Sequence, residues 1–186
     1  MRLVNDEERP VQFVFAGKAH PQDEGSKRVL QQLAVWEYDP LVRQRAVFLE
    51  DYDQEIARQL VQSVDVWLNV PRRPQEASGT SGEKVAINGG LNLSILDGWW
   101  LEGFDGTNGF AIGNGVNTTA VAEIDKIDAE SLYRVLEQEV IPRYYSKDSE
   151  GLPFRWIEMM KRAMQTLGPV YNSNRMVEDY ARNIYP

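Results

Sequence analysis

Three short β-prone runs, Val11-Gln12-Phe13-Val14-Phe15, Ala46-Val47-Phe48-Leu49 and Val66-Trp67-Leu68, alternate with stretches of helical period. Apolar, β-branched and aromatic runs of this length read as buried strands. After the first, Ala16-Gly17 allows a sharp turn, and Val29, Leu30, Leu33 and Trp36 then fall on one face of a helix beginning near Gln22. After the second, Asp53 is placed to cap a helix whose Ile56, Leu60, Val61 and Val64 share a face. Strand and helix in strict alternation leave a crossover helix between strands that run the same way. The expectation is an α/β fold: a parallel sheet with right-handed crossovers and helices on both faces, in three layers.

The chain then changes character. Between Arg72 and Gly115 glycine is dense, at 79, 82, 89, 90, 98, 103, 106, 109, 113 and 115, which marks tight turns and close backbone approach. Leu91 to Leu96 and Phe110 to Ile112 are further strand candidates, and Asp97-Gly98-Trp99-Trp100 onward reads as an ordered loop. From Asp128, a plausible N-cap, the pattern is helical, with Leu132, Val135, Leu136 and Val140 forming a stripe before Pro142. A second helix is expected from about Pro153, turning Ile157, Met160, Met164 and Leu167 inward until Gly168-Pro169 stops it, and a third over Asn174 to Ile184.

Charge narrows the function classes. The formal net charge is −8, which argues against a broad nucleic-acid surface, because binding a phosphate backbone relies on a basic stripe. Any anion must be held locally. No apolar run approaches the length of a membrane span, the acidic start Met1 to Glu8 has no leader pattern, and there is no cysteine; these features fit a cytoplasmic protein. His20 is the single histidine, so no multi-histidine metal site can be assembled, and no metal is expected. His20 itself reads as a structural loop residue.

The segment that can hold an anion is Glu76-Ala77-Ser78-Gly79-Thr80-Ser81-Gly82-Glu83-Lys84, which follows the third strand and opens a helix. Free backbone N–H groups and the positive end of the helix dipole suit a phosphate there, and Thr80 and Ser81 add hydroxyls. On this pattern alone a plain helix cap is the commoner reading. The spacing is not that of a nucleoside-triphosphate loop. Lys84, read as lying in the first helical turn, opposes the dipole, which favours a neutral, nucleophilic amine over the ammonium; a solvated surface lysine is the alternative.

The run Pro71-Arg72-Arg73-Pro74, then Glu76 to Gly82, Lys84 and Asn88-Gly89, resembles the pyridoxal-phosphate segment of the α-glucan phosphorylases. Further matches are Phe15-Ala16-Gly17-Lys18-Ala19-His20-Pro21, Val47-Phe48-Leu49-Glu50-Asp51-Tyr52, and Leu96-Asp97-Gly98-Trp99-Trp100 through Gly103, Asp105-Gly106 and Asn108-Gly109. They resemble the bacterial branch in particular and cover about Val11 to Gly113. Glu83 stands where the family usually has methionine, and Leu101 where that branch tends to have an acidic residue.

What the resemblance implies is a GT-B architecture of two Rossmann-like domains, with residues 1–186 forming one domain, most of the second. Residues 1–10 would be a lead-in, 11–115 the cofactor and sugar core, and 128–186 the C-terminal helices. It implies phosphorolysis of terminal α-1,4-glucosidic bonds to α-D-glucose 1-phosphate, with α-1,4-glucan and inorganic phosphate as partners and pyridoxal 5′-phosphate attached covalently at Lys84. Thr80, Ser81 and Gly82 would contact the cofactor phosphate, while Glu76, Ser78 and the Gly79 backbone would bind glucosyl hydroxyls. Because family members are several times longer and carry an N-terminal domain, the chain taken alone is expected to be inactive, its cofactor site weakly filled or empty.

Two other readings stay open. Retaining nucleotide-sugar glycosyltransferases of the same architecture tend to carry a second glutamate where Lys84 stands, and Glu83 is one residue short of it. A non-catalytic carbohydrate-binding or interaction module is the reading from a different class. Trp99-Trp100 could stack on a sugar but fits a packing anchor better, Asp97, Glu102 and Asp105 read as solvated turn residues, and Tyr144-Tyr145 with Met159, Met160 and Met164 as helix packing.

Overall fold

The computed structural model describes residues 3–4, 6–36, 38–113 and 121–185. Gly115, at the end of the glycine-dense segment, lies outside them. By its internal contacts the chain forms two compact units, Met1–Arg58 and Gln59–Pro186.

In the first unit, strand β1 (Phe13–Ala16) pairs in parallel with β2 (Ala46–Leu49), in the register Phe13↔Ala46 to Ala16↔Leu49. Helix α1 (Glu24–Trp36) makes the crossover. Asp23 caps it, its carboxylate accepting the Ser26 amide at 2.9 Å and the Ser26 hydroxyl at 2.6 Å, bonds that hold the Asp23 pKa below its ordinary value. The expected inward face is narrower than its spacing suggested. Leu30 and Leu33 are half-buried, but Val29 and Trp36 are 54% and 43% exposed, and the Trp36 ring meets Phe15 edge-on at 5.9 Å. A sheet of two strands offers too little surface to cover a full helical face.

Helix α2 (Gln54–Ser63) is capped as expected, Asp53 accepting the Ile56 amide at 2.9 Å, and its Val61 is buried. In the second unit β3 (Val66–Asn69) does not extend the β1–β2 pair. It joins β4 (Leu91–Ile95) and β5 (Phe110–Ile112) in a parallel sheet of order β3-β4-β5. Among the described residues each unit thus carries strands that run parallel, as expected. Alternation dictates that strands run parallel; it does not dictate which become neighbours. The central strand β4 is buried at all five residues, as a strand covered on both faces should be.

Helix α3 (Thr80–Ile87) packs on β3, β4 and α7 (Phe154–Leu167), and α5 (Val121–Val135) on β5. The expected loop after β4 contains a short helix, α4 (Trp99–Gly103). Trp100 is fully buried and donates its indole N–H to the Phe110 carbonyl at 3.0 Å, while Trp99 stacks edge-on with Tyr171 at 5.0 Å, so both tryptophans act as packing anchors.

Two helical expectations need correction. Asp128 is not a cap: α5 begins before it, and the residue lies within the helix against Gly113, where an added Cβ would come 2.9 Å from its carboxylate. The stripe that precedes Pro142 runs on into further helix. A π-helical turn, Leu136–Val140, leads into α6 (Ile141–Tyr145), and the widened turn accommodates the ring and the lost donor. The buried face of α7 is Trp156, Met159, Ala163 and Leu167; of the expected set Leu167 is buried, Ile157 and Met160 are half-buried and Met164 is 41% exposed. Trp156 sets this rotation by packing on Phe110 and Tyr144, with ring centroids 6.0 and 5.0 Å apart. Helix α8 (Ser173–Asn183) follows a cap at Asn172, which accepts the Arg175 amide at 2.9 Å. Among the described residues no helix is long and apolar enough to cross a membrane.

Because Trp100 is fully enclosed and also satisfies a buried carbonyl, Trp100→Ala should lower the unfolding free energy by about 3–5 kcal/mol. Urea denaturation measures it; a change within experimental error would show that α4 is not part of the cooperative core.

Candidate functional site

The segment 71–79 leaves β3 and is held down at both ends. At its start Arg72 forms a two-pronged ion pair with Asp125 of α5, at 2.9 and 2.8 Å. At its end it is clasped to the segment that opens α4. The Glu76 amide donates to the Asp97 carboxylate at 3.0 Å, and the Trp99 amide donates to the Ser78 carbonyl at 2.9 Å. Gly98 makes the approach possible: its φ is +54°, and a Cβ there would lie 2.4 Å from the Ser78 carbonyl oxygen. Asp97 is therefore not the solvated turn residue its sequence context suggests. It is 8% exposed, and its carboxylate faces the strand-end loop. An aspartate just past a fully buried strand was the available signal.

Gly79, with φ +93°, forms the N-cap of α3 and supplies no side-chain capping bond. Thr80, Ser81 and Gly82 follow as its first three residues, with N–H groups that an ideal helix leaves without an intrahelical acceptor. Gly82 packs closely on the sheet, where a Cβ would come 2.7 Å from the Asn92 amide oxygen and 3.0 Å from the Trp99 ring. Asn92 is buried, and neither its amide oxygen nor its amide nitrogen has a hydrogen-bond partner in the described structure. Ser81 accepts the Trp67 indole N–H at 3.1 Å. Neither Asn92 nor Trp67 was singled out from sequence, because an asparagine inside a strand and a tryptophan beginning one carry no motif.

Lys84 is not in the first turn. It is the fifth residue of this eight-residue helix. Its exposed side chain runs back toward the helix start, as helical side chains do, and its Nζ lies 3.3 Å from Thr80 Oγ1. The structure thus gathers Lys84, Thr80, Ser81 and Gly82 at one helix end, and Glu76, Ser78 and Gly79 on the adjoining clasped loop.

Glu83 is half-buried, and burial raises its pKa above the ordinary 4.5, opposed by the neighbouring Lys84 charge. Its charge, with that of Glu102, also helps raise the Tyr171 pKa, for which burial is the larger cause. His20 lies in the first unit and accepts the Gln22 amide at 3.2 Å. Glu102 is exposed, and Asp105 accepts the Thr107 amide and hydroxyl, both at 2.7 Å, in a local turn. Among the described residues no group of three or more histidine, cysteine, aspartate or glutamate side chains is arranged to hold a metal ion.

A parallel α/β unit with a strand-end loop, a glycine-started helix and a returning lysine is the kind of site that holds a phosphate-bearing ligand. Comparison with known proteins gives the family. The carbohydrate phosphorylase family model matches residues 2–139, and the chain belongs to that family. It is 48% identical over 184 residues to a glycogen phosphorylase of Aquifex aeolicus, covering 99% of this chain and 26% of that protein. A glycogen phosphorylase of Mycobacterium tuberculosis is 48% identical over the same share of this chain, which covers 21% of it. A maltodextrin phosphorylase of Thermococcus litoralis is 46% identical, with 99% and 22% covered. The chain therefore spans between a fifth and about a quarter of the length of these relatives.

The raised pKa of Glu83 has a signed consequence. Between 4.5 and the higher folded value the native state binds more protons than the unfolded one, so this group's contribution to stability falls as pH rises through that window. Glu83→Gln should raise the thermal midpoint near neutrality and leave it unchanged well below 4.5, where the carboxyl is protonated in both states. An equal gain at both pH values would show that packing, not ionisation, governs the position.

Proposed function

We propose that this chain is the cofactor-carrying C-terminal part of an α-glucan phosphorylase, an enzyme that cleaves terminal α-1,4-glucosidic bonds with inorganic phosphate to give α-D-glucose 1-phosphate. Both compact units then belong to one Rossmann-like domain of a GT-B architecture, in a cytoplasmic enzyme. The observation that carries the reading is the return of Lys84 over the uncapped start of α3, in a chain of the carbohydrate phosphorylase family.

The residues present fit pyridoxal 5′-phosphate. A glycine N-cap leaves the first-turn N–H groups open to a phosphate, two hydroxyls stand among them, and a primary amine lies within reach of one. Lys84 would anchor the cofactor covalently, and Thr80, Ser81 and Gly82 would hold its phosphate. When bound, the cofactor supplies a second phosphate able to exchange a proton with substrate phosphate. The chain's own residues position and orient. Glu76, Ser78 and Gly79 would meet the glucosyl hydroxyls of an α-1,4-glucan, with the Glu76 backbone fixed by Asp97 and its half-buried side chain beside the loop. Trp99, 5% exposed, packs beneath Gly79 of this loop, where a Cβ would come 3.3 Å from its ring. The facing half of the cleft and the basic ligands for inorganic phosphate would come from an N-terminal domain that supplies the rest of the family length.

The direct test is borohydride reduction of the full-length enzyme followed by peptide mapping. The expected result is label on Lys84, with Lys84→Ala losing both cofactor and activity and Thr80→Ala weakening retention. Label on another lysine, such as Lys18, in an active enzyme defeats the assignment. The isolated chain, in contrast, should form no glucose 1-phosphate from a maltooligosaccharide and phosphate. Turnover by the pure chain, beyond that of a Lys84→Ala control prepared in the same host, would show that the cleft does not need a second domain.

A further inference from the structure

The hydroxyls at the start of α3 have a fixed polarity. An indole N–H can only donate, so in the 3.1 Å contact between Trp67 and Ser81 the serine oxygen is the acceptor. An ammonium can likewise only donate, so Thr80 Oγ1 accepts from Lys84. Each hydroxyl keeps its own proton to give, and among the described residues neither Thr80 nor Ser81 gives it to a protein acceptor. The Lys84 contact rests on a long exposed side chain. The Trp67 contact is different in kind: Trp67 belongs to β3, is half-buried, and stands in register with Asn92 of β4, the buried residue whose amide lies against Gly82. Adjacent strands therefore support consecutive residues of the first turn, Trp67 under Ser81 and Asn92 under Gly82.

We propose that Trp67 is a positioning residue for the phosphate of the ligand bound at this helix start, acting through Ser81. By occupying a lone pair of Ser81 Oγ it commits the hydroxyl proton to an acceptor outside the protein, which suits a phosphate monoester, whose oxygens accept, and disfavours a group that must itself donate. The inference rests on the reading of Lys84 as the cofactor lysine and adds to it a residue that touches no ligand.

The test compares labelling of Lys84 by pyridoxal 5′-phosphate with labelling by pyridoxal, which carries the same aldehyde without the phosphate. The full-length enzyme, freed of its cofactor, is incubated with each, the lysine–aldehyde condensation is fixed as a secondary amine by borohydride, and label at Lys84 is quantified by peptide mass spectrometry. Unmodified enzyme should prefer the phosphorylated reagent at Lys84 over its other lysines. Trp67→Phe, which keeps a ring and removes the N–H, should reduce that preference by roughly three- to tenfold, the worth of one hydrogen bond, while labelling by pyridoxal stays as it was. Ser81→Ala should reduce it as much, and the two changes together no further. A preference unchanged in Trp67→Phe or in Ser81→Ala, or effects that add, overturns the role of Trp67 and leaves the cofactor lysine standing. Equal loss with both reagents in Trp67→Phe overturns it too, since that is a general structural effect. No preference for the phosphorylated reagent in unmodified enzyme overturns the phosphate site itself, and the role of Trp67 with it.

Discussion

The clasp between the loop 76–79 and the segment 97–99 is the constraint on which the site depends. Two hydrogen bonds, Glu76 amide to Asp97 carboxylate and Trp99 amide to Ser78 carbonyl, join the loop that leaves one strand to the turn that leaves its neighbour. Their cost is backbone freedom. Gly98 must adopt a conformation in which a Cβ would strike the Ser78 carbonyl, and Gly79 a left-handed one in which a Cβ would press on the Trp99 ring at 3.3 Å. Trp100, enclosed behind them, ties the same turn to β5. Loops at strand ends are free to vary in general; this one is fixed to a rigid element on each side, so the residues it carries keep their spacing from the start of α3.

The periodic elements were legible in the sequence because burial of one face leaves a repeating trace. β2 and β5 lie where their apolar runs place them, and the cap at Asp53 follows from its position ahead of an amphipathic stretch. What sequence could not settle were choices among equivalent patterns. Both Trp156-Met159-Ala163-Leu167 and Ile157-Met160-Met164-Leu167 are helical stripes, and only the fit of the Trp156 ring between Phe110 and Tyr144 selects the first. Strand order has the same character: the β3–β4 pairing is decided by tertiary fit, not by the alternation of elements. The candidate ligand loop was legible as a motif, whereas its supports were not. Asp97 looked like a turn residue, and Trp67 and Asn92 looked like ordinary strand residues, because support of this sort depends on which strands become neighbours.

Glu83 shows how the helix separates two demands placed on adjacent residues. Consecutive helical side chains leave the axis about 100° apart, so residues 83 and 84 need not share surroundings. Lys84 turns back over Thr80 in solvent, while Glu83 is half-buried and electrostatically coupled to Tyr171, beyond the end of α7. A carboxylate next in sequence to the amine is thus placed to perturb the packing of α3 more than the chemistry of its exposed edge. Burial, not the lysine, is the dominant influence on its ionisation.

The anion site proposed at the start of α3 would have to work against the field of a chain whose formal net charge is −8. Long-range steering cannot help, because the summed charge repels a phosphate at distances where individual groups are not distinguished. Beyond about 8–10 Å, however, that repulsion is screened at physiological ionic strength, and what remains is set by donors in direct contact. The start of α3 is built of such donors: N–H groups fixed by the helix and hydroxyls whose oxygens are already engaged by Trp67 and Lys84. All but the lysine are neutral, so they add no charge to be compensated when the site is empty. Their effect would be short-ranged and directional, which suits the phosphate proposed for this helix start.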